Sequence, residues 1–211
     1  MSRRILFLCS IFIVVMSAFA LRWPLTVVPV HAAAANDKSY SPSYTRNGDL
    51  VPPLEYRKWI YLTSGLDMSY LPSNTPDMSM FDNVFVNREA YDSFLANGKW
   101  PDKTVLVLEA RSASVKGSIN KNGHFQSGGV MGIEVHVKDE KRFPGGWAFF
   151  DVANETKATL IPLKAPCYSC HQDHGAVDTT FVQFYPTLLP IAENKATLSK
   201  SYLKESPAAS K

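Results

Sequence analysis

The sequence predicts a single α+β domain in which a mainly antiparallel sheet of five strands is accompanied by a few helices. The chain has 211 residues, of which 45% are hydrophobic and 12% aromatic, so it can bury one sizeable core, and no repeat suggests a second domain. Five short segments rich in Val, Ile and aromatic residues are bounded by turn residues, as is typical of strands. Turns as short as Phe143-Pro144-Gly145-Gly146 favour antiparallel pairing of successive strands.

The individual elements follow in chain order. The predicted strands are Lys58–Thr63, Asn83–Val86, Thr104–Ala110, Val130–Val137 and Trp147–Val152. One helix separates the second strand from the third, because Asn87 can cap its start and Gly98 can supply a left-handed stop. The apolar stripe of this helix consists of Ala90, Tyr91, Phe94 and Leu95. Near the C-terminus, Thr180–Tyr185 is predicted as a helical turn or two that packs Phe181, Phe184 and Tyr185 inward, with Asp178 as its cap.

Residues 1–32 are predicted to be a signal peptide. Arg3 and Arg4 precede an uncharged apolar run over residues 5–21, which includes Cys9. Small residues at 18–20 and at 30–33 both offer cleavage positions, and we favour the later one. The alternative is an uncleaved membrane anchor, since the apolar run is near the short limit for a span. The expected location is periplasmic or extracytoplasmic, with a membrane anchor if the signal is not cleaved.

Three further segments complete the predicted organisation: a flexible linker over residues 33–53, the folded domain over 54–191 and a mobile tail over 192–211. The linker is rich in Ser, Asn, Asp, Gly and Pro, and the tail is poor in core residues. Removal of residues 1–32 takes away three arginines, so the basic count falls from 22 to 19 against 19 acidic residues and the net charge falls from +3 to zero. A nucleic-acid partner is therefore not expected.

The motif Cys167-Tyr168-Ser169-Cys170-His171 carries the strongest chemical signal. Two cysteines at this spacing with a histidine next to them rarely arise by chance in a chain of this length. On a helix the three residues fall at i, i+3 and i+4 on one face, so two thiols can add to the vinyl groups of one haem while His171 binds its iron. The motif predicts one haem c near the C-terminus, attached through Cys167 and Cys170.

Two other chemistries use similar residues. A thioredoxin-like dithiol would lie at the start of a helix in a parallel βαβ unit, whereas this motif follows strands that are predicted to be antiparallel. A zinc site would need a fourth ligand, which His174 could supply, but ligands packed this closely along one segment fit a tetrahedron poorly.

The residue on the other side of the iron separates an electron carrier from a ligand binder. Small helical electron carriers use a methionine downstream of the haem motif, and all six methionines here lie upstream of Cys167. His124 and His136 are conceivable ligands, although ordinary surface or core positions are the simpler interpretation. An open or water-filled sixth position is therefore expected.

Four blocks of the sequence resemble the cytochrome P-460 family, whose relatives include the cytochromes c-prime-beta. In the family's order they read YRKWIYLTSG, FDNVFVNREAYDSFLANGKWPDKT, GIEVHVKDEKRFPGGWAFF and CYSCHQDHGAVDTTFVQFYP, and they span residues 56–186. The resemblance implies an exported mono-haem c cytochrome, often a homodimer, with an antiparallel sheet covering the haem. It also implies histidine on one side of the iron and an open position on the other.

The resemblance further implies a test at position 108. In the enzyme that names the family, a strand lysine is bonded to a meso carbon of the haem and hydroxylamine is oxidised to nitrous oxide, whereas relatives without this lysine resemble nitric oxide binders. Leu108 occupies the corresponding position and cannot form such a bond. Lys103 is an odd number of residues away along the strand, so its side chain is expected on the opposite face. The chain is thus closer to the c-prime-beta type.

Glu134 matches a carboxylate that the family enzyme holds above the iron. The residues alone favour a solvated strand face, on which Glu134, His136 and Lys138 alternate with apolar residues. With the resemblance, we interpret Glu134 as a distal acid or base. Leu108 and Leu106 share a strand face by the two-residue period, and Phe81 or Phe85 is expected beside them as an apolar wall of the haem site. The competing interpretation of these apolar residues is ordinary core.

Three functions follow in order of preference. The first is binding of nitric oxide or a similar small gaseous or nitrogenous ligand, which makes a binding protein more expected than an enzyme. The alternative is an oxidoreductase that converts hydroxylamine or nitric oxide. The third is simple electron transfer to a redox partner protein that the sequence does not identify.

Overall fold

A computed structural model describes residues 39–68 and 79–206. The predicted signal peptide and the first part of the predicted linker lie outside the described residues. The strands are β1 Ile60–Leu66, β2 Met80–Val86, β3 Val105–Ser114, β4 Phe125–Lys138, β5 Trp147–Asn154 and β6 Lys157–Leu160. The helices are α1 Arg88–Asn97, α2 Pro166–His174, α3 Leu189–Asn194 and α4 Lys200–Glu205. No helix in the described part of the chain is long and apolar enough to cross a bilayer.

The six strands form one sheet in the order β1-β2-β3-β4-β5-β6, and each neighbouring pair is antiparallel. The predicted α+β class and antiparallel sheet are confirmed, and each of the five predicted strands corresponds to an observed one. The sequence analysis missed the sixth strand, β6. This strand has only four residues, and their sequence, Lys-Ala-Thr-Leu, is not rich in the residue types that are typical of strands. It is held by pairing with β5 across a short turn.

The register of the sheet determines which side chains lie next to one another on each face. Residues directly opposite each other on antiparallel strands point to the same face. One row across the sheet consists of Thr63, Val84, Leu108, Glu134 and Asp151. The next row consists of Val86, Leu106, His136 and Phe149. Both rows lie on one face because their members are two residues apart on each strand.

Each face of the sheet carries a hydrophobic core cluster. The face with Leu106 packs against Phe94 of α1, Leu188 and Ala192, and the opposite face buries Val105, Val107, Val135, Val137 and Phe150. The predicted alternation of β3 is therefore confirmed, with Leu106 and Leu108 on one side and Val105 and Val107 on the other. Both faces of the sheet are therefore covered. The helix α2, which carries the haem motif, lies near one end of the face that contains Leu106.

The C-terminal segment differs from the predicted mobile tail. Residues 189–194 and 200–205 form α3 and α4, and the side chains of Ala192 and Tyr202 are buried. Ser199 caps α4 by accepting a hydrogen bond from the Tyr202 backbone N–H. The sequence analysis missed these two helices because the segment contains few apolar residues. A few are enough to hold it when each one packs into a core that other elements form.

The described part of the predicted linker is also packed. Leu50 is fully buried, and its backbone forms two hydrogen bonds with Ala158 of β6, at 3.1 and 2.9 Å. Tyr40 and Tyr44 pack against the same core cluster. Residues 39–53 therefore cover the sheet face opposite Leu106. A few apolar side chains in this polar segment are enough to hold it against the sheet.

Three details of the predicted helices and helical turns are corrected. Asn87 lies at the N-cap of α1, but its side chain accepts from the Val105 backbone N–H at 2.8 Å instead of capping the helix. Leu95 is exposed, so the buried stripe of α1 is limited to Ala90 and Phe94, with Tyr91 partly buried. Asp178 does not cap the predicted turn, which begins at Val182, because its side chain pairs with Lys138 instead.

Replacement of Gly98 tests how α1 ends. Gly98 has φ 68°, and a Cβ there would stand 2.8 Å from the Lys195 Cβ. We expect Gly98→Ala to lower the free energy of unfolding by about 1–2 kcal/mol, because it adds both backbone strain and a steric contact. Gly129→Ala is the matched control, since nothing lies within 4 Å of its Cβ position. Equal urea midpoints for the two variants would contradict this account.

Candidate haem site

The helix α2 carries all three residues of the haem motif. It begins at Pro166, whose missing N–H costs nothing at the first helical position. Cys167, Cys170 and His171 therefore follow one another at i, i+3 and i+4 on a single helix. Both cysteines are free thiols and are partly exposed. The predicted helical presentation of the motif is observed.

Tyr168, inside the motif, fixes α2 to the edge of the sheet. Its hydroxyl accepts from the Phe149 backbone N–H at 3.1 Å and donates to the Ile161 carbonyl at 3.0 Å. Its ring meets the Phe149 ring edge-on at 4.8 Å. The variable position of the motif thus has a structural role that the motif itself does not reveal.

The ring of His171 is held by its neighbours in a defined orientation. Its Nδ1 lies 2.8 Å from the Thr179 carbonyl oxygen, so Nδ1 donates and Nε2 is left as the nitrogen available to iron. Burial lowers the pKa of His171, against the smaller effect of the hydrogen bond to Thr179. The imidazole is therefore neutral near pH 7, which is the form that binds a metal.

A cavity of about 200 Å³ lies beside His171. Its sheet wall comes from both rows described above and from the row beyond them: Thr63, Gly65, Asp82, Val84, Leu106, Leu108, Glu134, His136 and Phe149. Phe181, Phe184 and Tyr185, from the segment after α2, also line it, as the sequence predicted for aromatic packing near the haem or core. The Phe181 ring lies 4.1 Å from the His171 ring.

The predicted wall residues divide into two groups. Leu108, Leu106 and Glu134 line the cavity. Phe81 and Phe85 do not, because Val84 is the residue opposite Leu108 and the two phenylalanines therefore point to the other face. Phe85 packs there against the rings of Tyr56 and Tyr61. The prediction that Phe81 and Phe85 form the wall is wrong. Lys103 also lies away from the cavity and pairs with Asp139 at 2.5 Å.

Carboxylates occupy the polar end of the cavity. Glu134 is exposed, yet partial burial, followed by the charges of Asp151 and Asp82, raises the pKa of its carboxyl. Burial, followed by the charge of Asp67, likewise raises the pKa of Asp82. This side chain thus reaches solvent, as the residues alone favoured, and also lines the cavity, while its role as a distal acid or base stays a prediction. Asp82 was not predicted, and only the register of β2 reveals it.

Met68 is a second cavity residue that the sequence did not predict. Its thioether folds into the space that a side chain at position 65 would fill, so a residue larger than Gly65 would require Met68 to move. Methionines upstream of the motif were set aside because of their place in the chain. The fold nevertheless brings Met68 to the cavity from the end of β1.

The alternative chemistries of the motif find little support in the geometry. Burial, followed by the charge of Asp173, raises the pKa of the Cys170 thiol, whereas a reactive dithiol requires a lowered pKa. His174 is half exposed and pairs with Glu205 of α4 at 2.5 Å. Across residues 39–68 and 79–206, no group of three or more His, Cys, Asp or Glu side chains is placed to hold a metal ion.

The residues present fit a haem c group. Two unpaired thiols lie one helical turn apart, and a neutral imidazole with a fixed Nδ1 partner borders a mostly apolar cavity. This donor set is the one that thioether attachment and axial ligation require. The apolar walls match the faces of a porphyrin, which is largely hydrophobic.

Comparison with known proteins agrees with this donor set. The family model for cytochrome P460 matches residues 53–182, which is more than half of the chain and includes the whole sheet and the haem motif. No curated protein matches the chain. The chain therefore belongs to the cytochrome P460 family, a family of haem c cytochromes.

Proposed function

We propose that this protein is an exported mono-haem cytochrome of the c-prime-beta type that binds nitric oxide or a similar small neutral ligand at an open haem position. The observation that carries this proposal is Leu108, which lies in the cavity directly opposite Glu134 at the position where the family enzyme has its lysine. A leucine forms no bond to the porphyrin. The haem, held by Cys167 and Cys170, would supply an iron atom with one free coordination position.

The chain's own residues prepare this site for a neutral ligand. His171 is oriented by Thr179, so its Nε2 can serve as the axial donor. Leu106, Leu108 and Val84 form the apolar part of the sheet wall, which offers no paired donors to an anion. Glu134, whose pKa is raised, can hold or release a proton at the polar end of the cavity.

A second candidate function is that of an oxidoreductase that converts hydroxylamine or nitric oxide. The two carboxyl groups with raised pKa, on Asp82 and Glu134, favour it because proton transfer accompanies both reactions. Leu108 disfavours it. An electron partner, a periplasmic location and a homodimer belong to the proposal as expectations from the signal-like N-terminus and the family.

Titration with nitric oxide tests the proposed function. We expect the absorption spectrum of the reduced, haem-loaded protein to shift with saturation at one equivalent, because one haem with one open position binds one ligand. The same preparation is expected to give no turnover when hydroxylamine and an electron acceptor are added. Sustained turnover would favour the oxidoreductase, and an unchanged spectrum with nitric oxide would contradict ligand binding.

The raised pKa of Glu134 has a consequence for stability. A carboxyl group whose pKa is higher in the folded than in the unfolded chain contributes stability at low pH, and this contribution is lost as pH rises through the folded pKa. We expect Glu134→Gln to reduce that loss, with an effect below about 1 kcal/mol because the group is exposed and screened. Urea unfolding from pH 4 to pH 8 measures it.

Asp67 provides a control of opposite sign. Hydrogen bonds from Ser79 and from the Met80 backbone N–H lower the pKa of Asp67, so its contribution is lost as pH falls. In a plot of the free energy of unfolding against pH, Asp67→Asn should therefore reduce the loss of stability on the acid side. Glu134→Gln should reduce the loss on the neutral side. Identical pH profiles for Glu134→Gln and the unmodified protein would contradict the assignment.

A further inference from the structure

His136 of β4 lies buried beside the candidate axial ligand. Its side chain is 8% exposed, and its ring stacks on Phe149 with centroids 3.9 Å apart and planes 15° apart. The same ring meets His171 edge-on, with centroids 5.3 Å apart. His136 therefore contacts the imidazole that would bind iron, although the sequence alone favours an ordinary surface or core position for it.

Thr179 connects the two histidines through two different atoms. Its carbonyl oxygen accepts from His171 Nδ1 at 2.8 Å. Its hydroxyl lies 3.3 Å from His136 Nε2, at the long end of hydrogen-bonding distances. One residue thus holds the axial imidazole with its backbone while His136 holds that residue by its side chain.

The loop that carries Thr179 is held at its base by close packing. A Cβ at Gly175 would stand 2.6 Å from the His171 carbonyl oxygen and 3.0 Å from the Thr179 carbonyl carbon. Thr180 accepts from Trp100 Nε1 at 2.8 Å and donates to the Val177 carbonyl at 2.7 Å. These contacts press the loop against the end of α2.

Two residues on the same face of β4 hold the tip of this loop. Lys138 pairs with Asp178 at 3.2 Å, and His136 lies against Thr179, the next residue. Their contacts differ in kind, since Lys138 also donates to the Trp100 carbonyl at 2.9 Å and lies over the Trp147 ring, whereas His136 contacts His171 itself. This difference supplies a natural control.

We infer that His136 is a positioning residue for the axial ligand: through Thr179 and through its ring contact with His171, it fixes the orientation of the His171 imidazole and its Nδ1 hydrogen bond. The inference rests on the proposed role of His171 as the iron ligand.

The consequence is a lower reduction potential of the bound haem. A ligating imidazole that donates its Nδ1 hydrogen to a well-placed carbonyl is a more basic ligand, and axial-ligand strength is one of the main determinants of haem potential. A stronger donor stabilises the oxidised iron. Loosening Thr179 should weaken the Nδ1 hydrogen bond and raise the potential.

Two variants of the haem-loaded protein test this role. Thr179→Val removes the hydroxyl but keeps the backbone carbonyl, and His136→Phe keeps a stacked ring but removes both nitrogens. We expect each to raise the reduction potential and to lower the iron–histidine stretching frequency in the resonance Raman spectrum of the reduced protein. The double variant should shift no further than the larger single shift, because both changes remove the same contact.

Lys138→Met is the matched control, and it should leave the potential and the stretching frequency unchanged. Unshifted values in Thr179→Val, which is close to isosteric and expected to fold, would overturn the inference, as would an equal shift in Lys138→Met. The absence of an iron–histidine band from the reduced, unmodified protein would contradict the proposed five-coordinate iron with His171 as its one protein ligand.

Discussion

Replacement of Cys167 and Cys170 together by serine is expected to abolish covalent haem attachment. Each thiol would supply one thioether bond, and the two lie one turn apart on α2 with no other described cysteine near them. Produced in a cell that matures c-type cytochromes, the unmodified protein should carry the mass of one haem after denaturation. The double variant should lack that mass completely, and each single variant should keep a smaller fraction of attached haem.

The chain offers its own control for this experiment. Cys9 lies in the apolar N-terminal run and outside the motif. Cys9→Ser should leave haem attachment unchanged, including in any protein molecules that keep the N-terminal run. Retention of the haem mass by the double variant after denaturation would show that attachment does not use Cys167 and Cys170.

Removal of the Glu109 carboxylate is expected to cause the largest loss of stability among these variants, about 2–4 kcal/mol. Glu109 is adjacent to Leu108 on β3 but points to the opposite face, where its side chain is 4% exposed. It accepts hydrogen bonds from the Tyr56 hydroxyl and from the guanidinium groups of Arg57 and Arg111. Glu109→Ala would leave these donors without their shared acceptor.

The pH dependence of the Glu109 effect has a definite sign. Burial would raise the pKa of this carboxyl, but the hydrogen bonds from Arg111, Tyr56 and Arg57 outweigh burial and hold the pKa below its ordinary value. Its contribution is therefore present at neutral pH and lost as pH falls through the folded pKa. The difference between Glu109→Ala and the unmodified protein should shrink in acid.

An exposed ion pair provides the comparison for the buried carboxylate of Glu109. Glu55 and Lys58 are 2.6 Å apart, with side chains 76% and 73% exposed. Glu55→Ala should cost less than about 0.5 kcal/mol, because solvent screens such pairs. Urea unfolding of both variants decides the point, and similar losses would contradict the claim that Glu109 anchors β3 behind the haem site.

The sequence predicted those parts of the site that depend on local spacing. The motif on α2 needed only the helical period, and the shared face of Leu106 and Leu108 needed only the strand period. Glu134 came from the family resemblance, and the structure places it in the cavity. The functional roles of Leu108 and Glu134 toward haem stay predictions.

The residues that were predicted wrongly or missed depend on register and on chain folding. Phe81 and Phe85 alternate correctly along β2, but only the pairing of Val84 with Leu108 shows that they point away from the cavity. Asp82 faces the cavity for the same reason. Met68 comes close to the site through tertiary structure, which no periodicity reports. The strand period puts His136 on the face of Glu134, but only tertiary structure brings its ring against His171. The packed segments around Leu50 and Tyr202 similarly depend on docking onto cores that other elements build.

The spin state of the iron tests the central claim most directly, namely that His171 is the one protein ligand and that the opposite position is open. Electron paramagnetic resonance of the oxidised, haem-loaded protein should show a high-spin signal, as expected for a haem with one histidine and either water or nothing opposite. A purely low-spin signal would mean that a second protein ligand closes the site, and Met68 and His136 are the described candidates in the cavity. That result would contradict ligand binding at an open position and move the protein to the electron carriers.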